Sequence, residues 1–293
     1  MKAAAFEYIR ATSLDQVCYA LHDGAGEAQV IAGGQTLIPL MAMRMARPEI
    51  LIDINDLDEL KGIEVSEDFA VIKSGTRQAE VLESTEIRET LPILSEAISH
   101  VGHTQTRNRG TIGGSLVAAD PSAEIPLIAQ LLEATLIARS LRGERQIQAN
   151  QFFESAMMTT LEPDEFLVEV RFPRWKNGSS GHGFHETSIR DSDYALASAA
   201  AQLSLDKNRK CDILHIAVGG ASPTPLRLPE IENTLRGQEL SDAAIEDALQ
   251  NIPNLVEPQS DVHADADYRR RLSRVLALRA ITDARDRALG DLK

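Results

Sequence analysis

Apolar residues recur along this chain with two spacings, one typical of amphipathic helices and the other of buried strands. The segment that starts at Ser13 predicts a helix, with the serine as N-cap and Leu14 and Val17 on the apolar face. Shorter apolar patterns predict a strand, a helix and a second strand at 29–31, 37–45 and 50–54. We therefore expect residues 1–54 to form a small unit of mixed strands and helices.

The same patterns predict two further units, at 55–175 and 176–293. In the middle unit they predict strands at 70–73, 136–139 and 166–172, and helices at 78–83, 93–100 and 126–132. Glycine, serine and asparagine dominate 176–183, which predicts a linker. Beyond it, strands are predicted at 183–188, 195–205 and 213–218, followed by a helical tail. The tail helix near Arg269 has a basic start and an apolar stripe, which favours docking on the protein's own sheet or on a partner subunit over membrane binding.

Two glycine pairs are the most informative local feature of the sequence. They occur in Gly33-Gly34-Gln35-Thr36-Leu37 and in Gly113-Gly114-Ser115, each after apolar residues, so each resembles a strand end that turns sharply. Consecutive backbone N–H groups in such turns form a nest for anions. Neither loop contains the lysine that a Walker-type loop directs at a terminal phosphate. Two facing nests predict a dinucleotide cofactor rather than ATP.

Composition narrows the functional classes. The 293 residues are 43% hydrophobic, and the net charge of −14 with a pI near 5.0 argues against nucleic-acid binding, which needs clustered basic side chains. No apolar run approaches the roughly 20 residues that span a bilayer, and we expect a cytoplasmic protein. Cys18 and Cys211 are too few for a disulfide framework or an iron–sulfur site, and His100 and His103 have no acidic companion. We expect no metal in this chain.

Several motifs, in order, resemble one known family, the FAD-binding medium subunit of molybdenum hydroxylases. Its members include carbon monoxide dehydrogenase, xanthine dehydrogenase and N-heterocycle dehydrogenases. The motifs are Ala32-Gly33-Gly34-Gln35-Thr36-Leu37-Ile38-Pro39, Arg107-Asn108-Arg109-Gly110-Thr111-Ile112-Gly113-Gly114-Ser115, Asp120-Pro121 with Glu124, Leu161-Glu162-Pro163-Asp164-Glu165 and Asp193-Tyr194-Ala195. The resemblance covers nearly the whole chain and implies an α+β fold. Its FAD-binding region has two parts, of the vanillyl-alcohol-oxidase-like (PCMH) type, and a C-terminal antiparallel sheet with helices follows.

The resemblance also implies the residues that hold FAD. The two loops would serve the pyrophosphate and nearby groups, Glu124 and Asp120 the hydroxyl groups, and two leucines the wall of the flavin, with two weaker candidates beyond them. These positions are Ala32, Gly33, Gly34, Gln35, Thr36, Leu37, Thr111, Gly113, Gly114, Ser115, Asp120, Glu124, Leu161, Leu167, His185 and Tyr194. Asp120 and Glu124 could instead cap the next helix, and Tyr194 could be a core residue. Many relatives have histidine where this chain has Ala118, which leaves the electron acceptor open.

By the same resemblance, the chain is a redox subunit without catalytic side chains of its own. Electrons would come from two [2Fe–2S] clusters in a small subunit, after oxidation of the organic substrate at the molybdopterin cofactor of a large subunit. They would leave for an external acceptor, namely NAD, a quinone or oxygen, and the three-subunit unit is commonly doubled into a heterohexamer. A self-sufficient FAD-dependent oxidase or dehydrogenase of the PCMH fold is the main alternative. A non-redox nucleotide-binding module and a scaffold without FAD are the others.

Overall fold

Strands and helices alternate along the chain largely where the hydrophobic pattern predicts them. The computed structural model describes residues 2–175 and 179–290. Within them, the helices are α1 (Leu14–Asp23), α2 (Leu37–Ala42), α3 (Gln78–Glu83), α4 (Thr85–Thr90), α5 (Pro92–His100), α6 (Thr104–Arg109), α7 (Ile112–Ala118), α8 (Glu124–Leu131), α9 (Ala149–Phe152), α10 (Pro229–Leu235), α11 (Asp242–Ala248), α12 (Ile252–Leu255) and α13 (Ala266–Leu289), with short 3₁₀ turns at Asp58–Leu60 and Leu249–Asn251. The strands are β1 (Glu7–Arg10), β2 (Ala28–Ile31), β3 (Ile50–Asp53), β4 (Ile63–Val65), β5 (Phe69–Lys73), β6 (Thr135–Ser140), β7 (Gly143–Gln148), β8 (Phe153–Ser155), β9 (Met158–Thr159), β10 (Phe166–Pro173), β11 (Ser179–Ser188), β12 (Ala195–Leu205), β13 (Cys211–Gly219) and β14 (Leu226–Arg227).

The first sheet is parallel, in the order β1-β3-β2. Helix α1 packs beside it and begins as predicted, because the Ser13 side chain accepts a hydrogen bond from the Gln16 N–H and caps the first turn. Helix α2 is shorter than predicted. It ends at Ala42 because Met43 caps it and Arg44 has a left-handed φ of 60°. The loop between β2 and α2 contains the first glycine pair.

The second sheet is antiparallel, in the order β4-β5-β10-β6-β7. Helices α5 and α8 are almost wholly apolar on their inner faces and share one buried core with β5, β6 and β10. A smaller core joins the first two sheets, since Val17 and Leu21 of α1 lie with Ile137 of β6 and Phe166 of β10. The N-terminal unit is thus packed, through α1, against the interior strands β6 and β10 of the second sheet.

The third sheet, β11-β12-β13-β14, is antiparallel and supports the long helix α13. The prediction of a linker is wrong for residues 179–183, because they form the first half of β11. Residues 176–178 of the predicted linker lie outside the described residues. Gly181 and Gly183 allow the backbone of β11 to approach the backbone of α13 closely. A Cβ on Gly181 would lie 1.9 Å from the Ala284 carbonyl oxygen, and one on Gly183 would lie 2.3 Å from that of Ala280.

These sheets confirm the predicted α+β fold with a C-terminal antiparallel sheet and helices. Helix α13 docks on the protein's own sheet, as its apolar stripe predicted. Within residues 2–175 and 179–290, no helix is both long enough and apolar enough to cross a membrane.

Candidate functional site

A cavity of about 640 Å³ opens where the β2–α2 loop approaches α7. Fifteen of the sixteen positions that the sequence singled out line it: Ala32, Gly33, Gly34, Gln35, Thr36, Leu37, Thr111, Gly113, Gly114, Ser115, Asp120, Glu124, Leu161, Leu167 and Tyr194. These residues come from all three sheet regions, so the fold gathers them from a span of more than 160 positions. A single cleft of this size is ordinary for a cofactor site.

The first glycine loop supplies free hydrogen-bond donors. The backbone N–H groups of residues 33–36 donate to no described residue, while the loop is held from outside by the Asn55 side-chain amide, which donates to the Ala32 carbonyl at 2.8 Å. Gly34 has a left-handed φ of 72°, the one glycine in the two pairs for which this conformation applies. Four consecutive unpaired N–H groups can bind the oxygens of an anion such as a pyrophosphate.

The second glycine pair differs from the sequence prediction. It does not follow a strand but lies in the first turn of α7, which Thr111 caps. Its N–H groups are already engaged: Gly113 donates to the Ser74 carbonyl at 2.8 Å, and Gly114 donates to the Thr111 hydroxyl at 3.0 Å. The prediction of a second anion nest is therefore wrong, because the cap and the neighbouring strand end use the donors.

Gly113 and Gly114 contribute through their lack of side chains rather than through free N–H donors. A Cβ on Gly113 would lie 2.4 Å from the Ser74 Cβ, so this glycine allows α7 to pack against the end of β5. Gly114 is exposed, and a Cβ there would meet only the Thr111 hydroxyl oxygen within 4 Å. Beside it, Ser115 also lines the cavity. A ligand can thus approach the backbone closely at Gly114.

Two polar side chains in the wall were missed by the sequence analysis. The Ser74 hydroxyl and the Gln78 side-chain oxygen are buried without a hydrogen-bond partner, and both residues line the cavity. Ser74 directly follows the predicted strand at 70–73, and a polar residue at a strand end could have indicated a binding residue. Gln78 has no such signal, because it is one polar residue at the start of an ordinary helix. Unpaired buried polar atoms suit a bound ligand that completes their hydrogen bonds.

Acidic groups gather beyond the C-terminal end of α7. Glu124 is 8% exposed, and burial raises the pKa of its carboxyl to about 8, with a further contribution from nearby Glu186. Partial desolvation of the phenol, and then the charges of Asp120, Glu124 and Asp193, raise the pKa of Tyr194, although this residue is 72% exposed overall. Tyr194 is therefore not a core tyrosine.

The capping alternative for Asp120 does not match the start of α8. The N-cap of that helix is Ala123, whereas the Asp120 carboxylate accepts a hydrogen bond from the Ser122 N–H at 2.9 Å within the preceding turn. Glu124 does lie in the first turn of α8. Both acids nevertheless line the cavity, so a role in the turn and a role toward a ligand are compatible.

An ion pair fixes the leucine wall. Glu165 accepts hydrogen bonds from the Arg145 guanidinium at 2.8 and 2.7 Å and from the Glu162 N–H at 2.9 Å. Burial would raise the pKa of Glu165, but the Arg145 and Glu162 contacts outweigh it and lower that pKa. The pair closes the turn that presents Leu161, and Leu167 follows on β10.

His185 is the one predicted site residue that the structure places elsewhere. It lies on β11, does not line the cavity, and its Nε2 atom is 2.8 Å from the Asp283 carboxylate of α13. The prediction of a cofactor contact at His185 is not supported, because the side chain joins the sheet to the helix. Ala118 does line the cavity, where its methyl group adds no polar atom.

The lining fits FAD. It offers free backbone donors for the pyrophosphate, unpaired buried oxygens at Ser74 and Gln78 for hydroxyl or amide groups, and apolar surface for a flat ring. In the part of the chain that the structure describes, no group of three histidine, cysteine or acidic side chains is placed to hold a metal ion.

Comparison with known proteins identifies the family. Residues 4–175 match the model of the FAD-binding domain in molybdopterin dehydrogenase, and residues 182–284 match the C-terminal domain of the carbon monoxide dehydrogenase flavoprotein. The chain belongs to this family of FAD-binding subunits. It is 40% identical to the 6-hydroxypseudooxynicotine dehydrogenase complex subunit alpha of Paenarthrobacter nicotinovorans, over 98% of this chain and 97% of that protein.

Solved structures of the same family have the same fold. The chain superposes on a chain of carbon monoxide dehydrogenase from Hydrogenophaga pseudoflava with a TM-score of 0.94 at 32% identity, covering 98% of this chain and 99% of the other. For quinoline 2-oxidoreductase from Pseudomonas putida 86 the TM-score is 0.92 at 33% identity, with full coverage of both chains. The predicted resemblance is confirmed. The chain is a medium, FAD-binding subunit of the molybdenum hydroxylases, an oxidoreductase family whose iron–sulfur and molybdopterin centres lie in partner subunits.

Proposed function

We propose that this chain transfers electrons from the [2Fe–2S] clusters of a small subunit, through FAD, to an external acceptor. The observation that carries the proposal is that the free N–H groups of residues 33–36 line the same cleft as the unpaired side-chain oxygens of Ser74 and Gln78. Bound FAD would supply the redox chemistry, since it can exchange electrons singly with clusters and in pairs with organic acceptors.

The protein's own residues would bind and orient the cofactor. The loop at residues 33–36 would donate to the pyrophosphate, and Gly114 would leave room for close approach. Leu161 and Leu167 would form an apolar wall that excludes water from the ring system. Glu124, which keeps its proton at neutral pH because of burial, can donate as well as accept a hydrogen bond toward cofactor hydroxyl groups.

We further propose that units 1–54 and 55–175 together hold the cofactor, while unit 176–293 completes the cleft. Two observations support this division. Each unit has its own sheet, and Asp193 and Tyr194 reach the cavity from the loop between β11 and β12.

The organic substrate would bind in the large subunit, outside this chain. Several relatives are named for N-heterocycles, namely nicotine, caffeine and quinoline, and such compounds are the first substrates to try. The test is co-expression with an iron–sulfur and a molybdopterin subunit. We expect turnover by the complex and none by this chain alone. Robust turnover of an organic substrate by the isolated chain would contradict the proposal and favour a self-sufficient oxidase.

A variant tests the cleft itself. Gly114→Val places a branched side chain at an exposed backbone position, where its Cβ would lie 2.8 Å from the Thr111 hydroxyl and displace that side chain. We expect a folded protein without FAD. Thermal unfolding and far-UV circular dichroism report folding, and absorbance after gel filtration reports the flavin. Full FAD retention would show that the cofactor lies elsewhere.

A further inference from the structure

Three titratable side chains from three different elements gather at the wall of the cleft and behind it. Glu124 begins α8 and lines the cleft, Glu186 lies on β11, and His100 ends α5. The third sheet brings Glu186 here because it packs against α8. Phe184, two residues before Glu186 on the same face of β11, shares one buried core with Ile125 of α8.

Glu186 is a buried acid that is only half satisfied. Its side chain is 5% exposed, and its Oε1 atom lies 3.4 Å from Nδ1 of His100. Its Oε2 atom is buried and has no hydrogen-bond partner among the described residues. Ser198, its cross-strand neighbour on β12, has a hydroxyl group that is also buried without a partner there. The charge of such a carboxylate acts strongly on its neighbours, because little water screens it.

His100 connects this carboxylate to solvent. Its side chain is 40% exposed, and its ring lies 5.1 Å from the ring of Phe184. The hydrogen bond to Glu186 raises the pKa of His100, the charges of Glu124 and Glu96 add to that rise, and burial opposes it. A histidine with a raised pKa keeps its positive charge to higher pH, so it balances the Glu186 carboxylate.

Glu124 responds to both neighbours. Burial is the main reason why its pKa is raised to about 8; the Glu186 charge raises it further, and the His100 charge lowers it. Asp120 adds a smaller rise. The Tyr194 phenol also faces Glu124 and stays neutral, because burial and the nearby carboxylates raise its own pKa. Helix α8 contains no other charged side chain, so Glu186 and His100 are the main charges that act on Glu124.

We infer that Glu186 and His100 set the proton on Glu124 from behind the cleft, so that FAD binds through a neutral Glu124 and is released more easily as the pH rises. Glu186 favours the proton, and protonated His100 moderates that effect. The inference rests on the proposed placement of FAD in the cleft and deepens it by naming what regulates the same site. Glu186 and His100 are positioning residues, since they act through Glu124.

The charge of the cleft explains why this proton matters. Among the described residues that line the cleft, none is lysine, arginine or histidine, whereas Asp120 and Asp193 are both present. A neutral Glu124 can donate a hydrogen bond to the cofactor. An ionised Glu124 loses that donor and adds a negative charge to a site that receives an anionic pyrophosphate. FAD affinity should therefore fall above the pKa of Glu124, by up to about tenfold per pH unit for one proton.

The first experiment measures the affinity of the full chain for FAD between about pH 6 and about pH 9, by quenching of flavin fluorescence on titration of the FAD-free protein. We expect constant affinity up to about pH 8 and a fall above it. Glu124→Gln keeps a hydrogen-bond donor without a titratable group, so its affinity should not change with pH. A pH-independent affinity in the wild type, or an equally steep fall in Glu124→Gln, would overturn the inference.

Two variants behind the cleft should shift the onset of this fall in opposite directions. Glu186→Gln removes the charge that favours the proton, so the fall should begin about 0.5–1 pH unit lower, as expected for one partly screened neighbouring charge. His100→Gln leaves Glu186 unbalanced, so the fall should begin at higher pH. Damage to the fold would instead weaken binding in both variants at every pH. Shifts of the same sign, or no shift in Glu186→Gln, would contradict the inference.

Glu246→Gln is the matched control. It makes the same change in net charge as Glu186→Gln, but on an exposed position of α11. The pH profile of FAD affinity should be that of the wild type. A shift in this variant as large as in Glu186→Gln would mean that net charge alone moves the profile, which would overturn the role given to Glu186.

Infrared spectroscopy of the FAD-free chain separates this inference from the proposed function. The C=O stretch of a protonated carboxyl group should be present at neutral pH, disappear as the pH rises past about 8, and be missing in Glu124→Gln. A chain that shows this band but binds no FAD at any pH would refute the proposed placement of FAD. A chain that binds FAD equally well at every pH would refute only the inference.

Discussion

Replacing Gly34 with alanine tests whether the first glycine loop holds the cofactor. The φ of 72° at Gly34 is left-handed, and a side chain in that conformation costs about 1–2 kcal/mol relative to glycine. The new Cβ would also lie 3.0 Å from Ile38 Cγ1, which must move by a few tenths of an ångström. If the loop leaves its conformation to relieve this strain, the free N–H groups of residues 33–36 lose their alignment. The same 1–2 kcal/mol corresponds to a dissociation constant for FAD that is about 5- to 30-fold higher.

The chain supplies a matched control in Gly237. Its φ is 75°, it lies between α10 and α11, and a Cβ there would meet no atom within 4 Å. Gly237→Ala should lower stability by a similar amount without changing FAD affinity. Quenching of flavin fluorescence on titration of the FAD-free protein measures the affinity, and thermal unfolding measures stability. If Gly34→Ala binds FAD as tightly as the wild type, the loop does not hold the cofactor in the conformation described.

Three further predictions concern stability. Burial raises the pKa of Glu124 to about 8, so its contribution to folding stability is present below about pH 4.5 and is lost as the pH rises toward 8. Glu124→Gln should therefore flatten the fall in the melting temperature of the FAD-free protein over that pH range. An equally steep fall in the variant would contradict the raised pKa. Burial alone would raise the pKa of Glu96, but hydrogen bonds from His182 and Arg287 hold it at about 2. Glu96→Gln should therefore lower the melting temperature at neutral pH and lose that effect as the pH falls from about 4.5 toward 2, whereas a pH-independent difference would exclude the ionic cause. Gly181→Ala should cost about 2–3 kcal/mol in chemical denaturation, since its Cβ would collide with the backbone of α13; a neutral effect would mean that helix and strand separate freely.

Much of the fold could be predicted because its signals are local. The cap at Ser13, the apolar runs of β3, β10 and β12 and the apolar helix α8 each follow from residues that are adjacent in sequence. Helix α3 has the predicted bounds. The motifs that resemble the family also led to the correct cleft, since the structure brings Gly34, Gly114 and Tyr194 to one cavity.

Two of the errors come from tertiary contacts that the local sequence does not record, and the third comes from a helix cap that the pattern did not predict. Gly181 resembles a flexible linker until α13 is packed on it. The Gly114 N–H resembles a free donor until the Thr111 hydroxyl is placed 3.0 Å away. His185 resembles a site residue because of its neighbours in sequence, yet Asp283 of a distant helix is its partner. In each case the partner lies elsewhere in the chain or depends on a turn that the pattern did not predict.

The central claim is that this chain accepts electrons from an iron–sulfur partner through bound FAD. The most direct measurement is anaerobic titration of the FAD-loaded chain with the reduced [2Fe–2S] subunit, following the flavin band at about 450 nm. The account predicts that the band bleaches as the reduced partner is added and that an organic substrate alone leaves it unchanged. A band that persists with the reduced partner, or that bleaches with the organic substrate in the absence of partners, would contradict it.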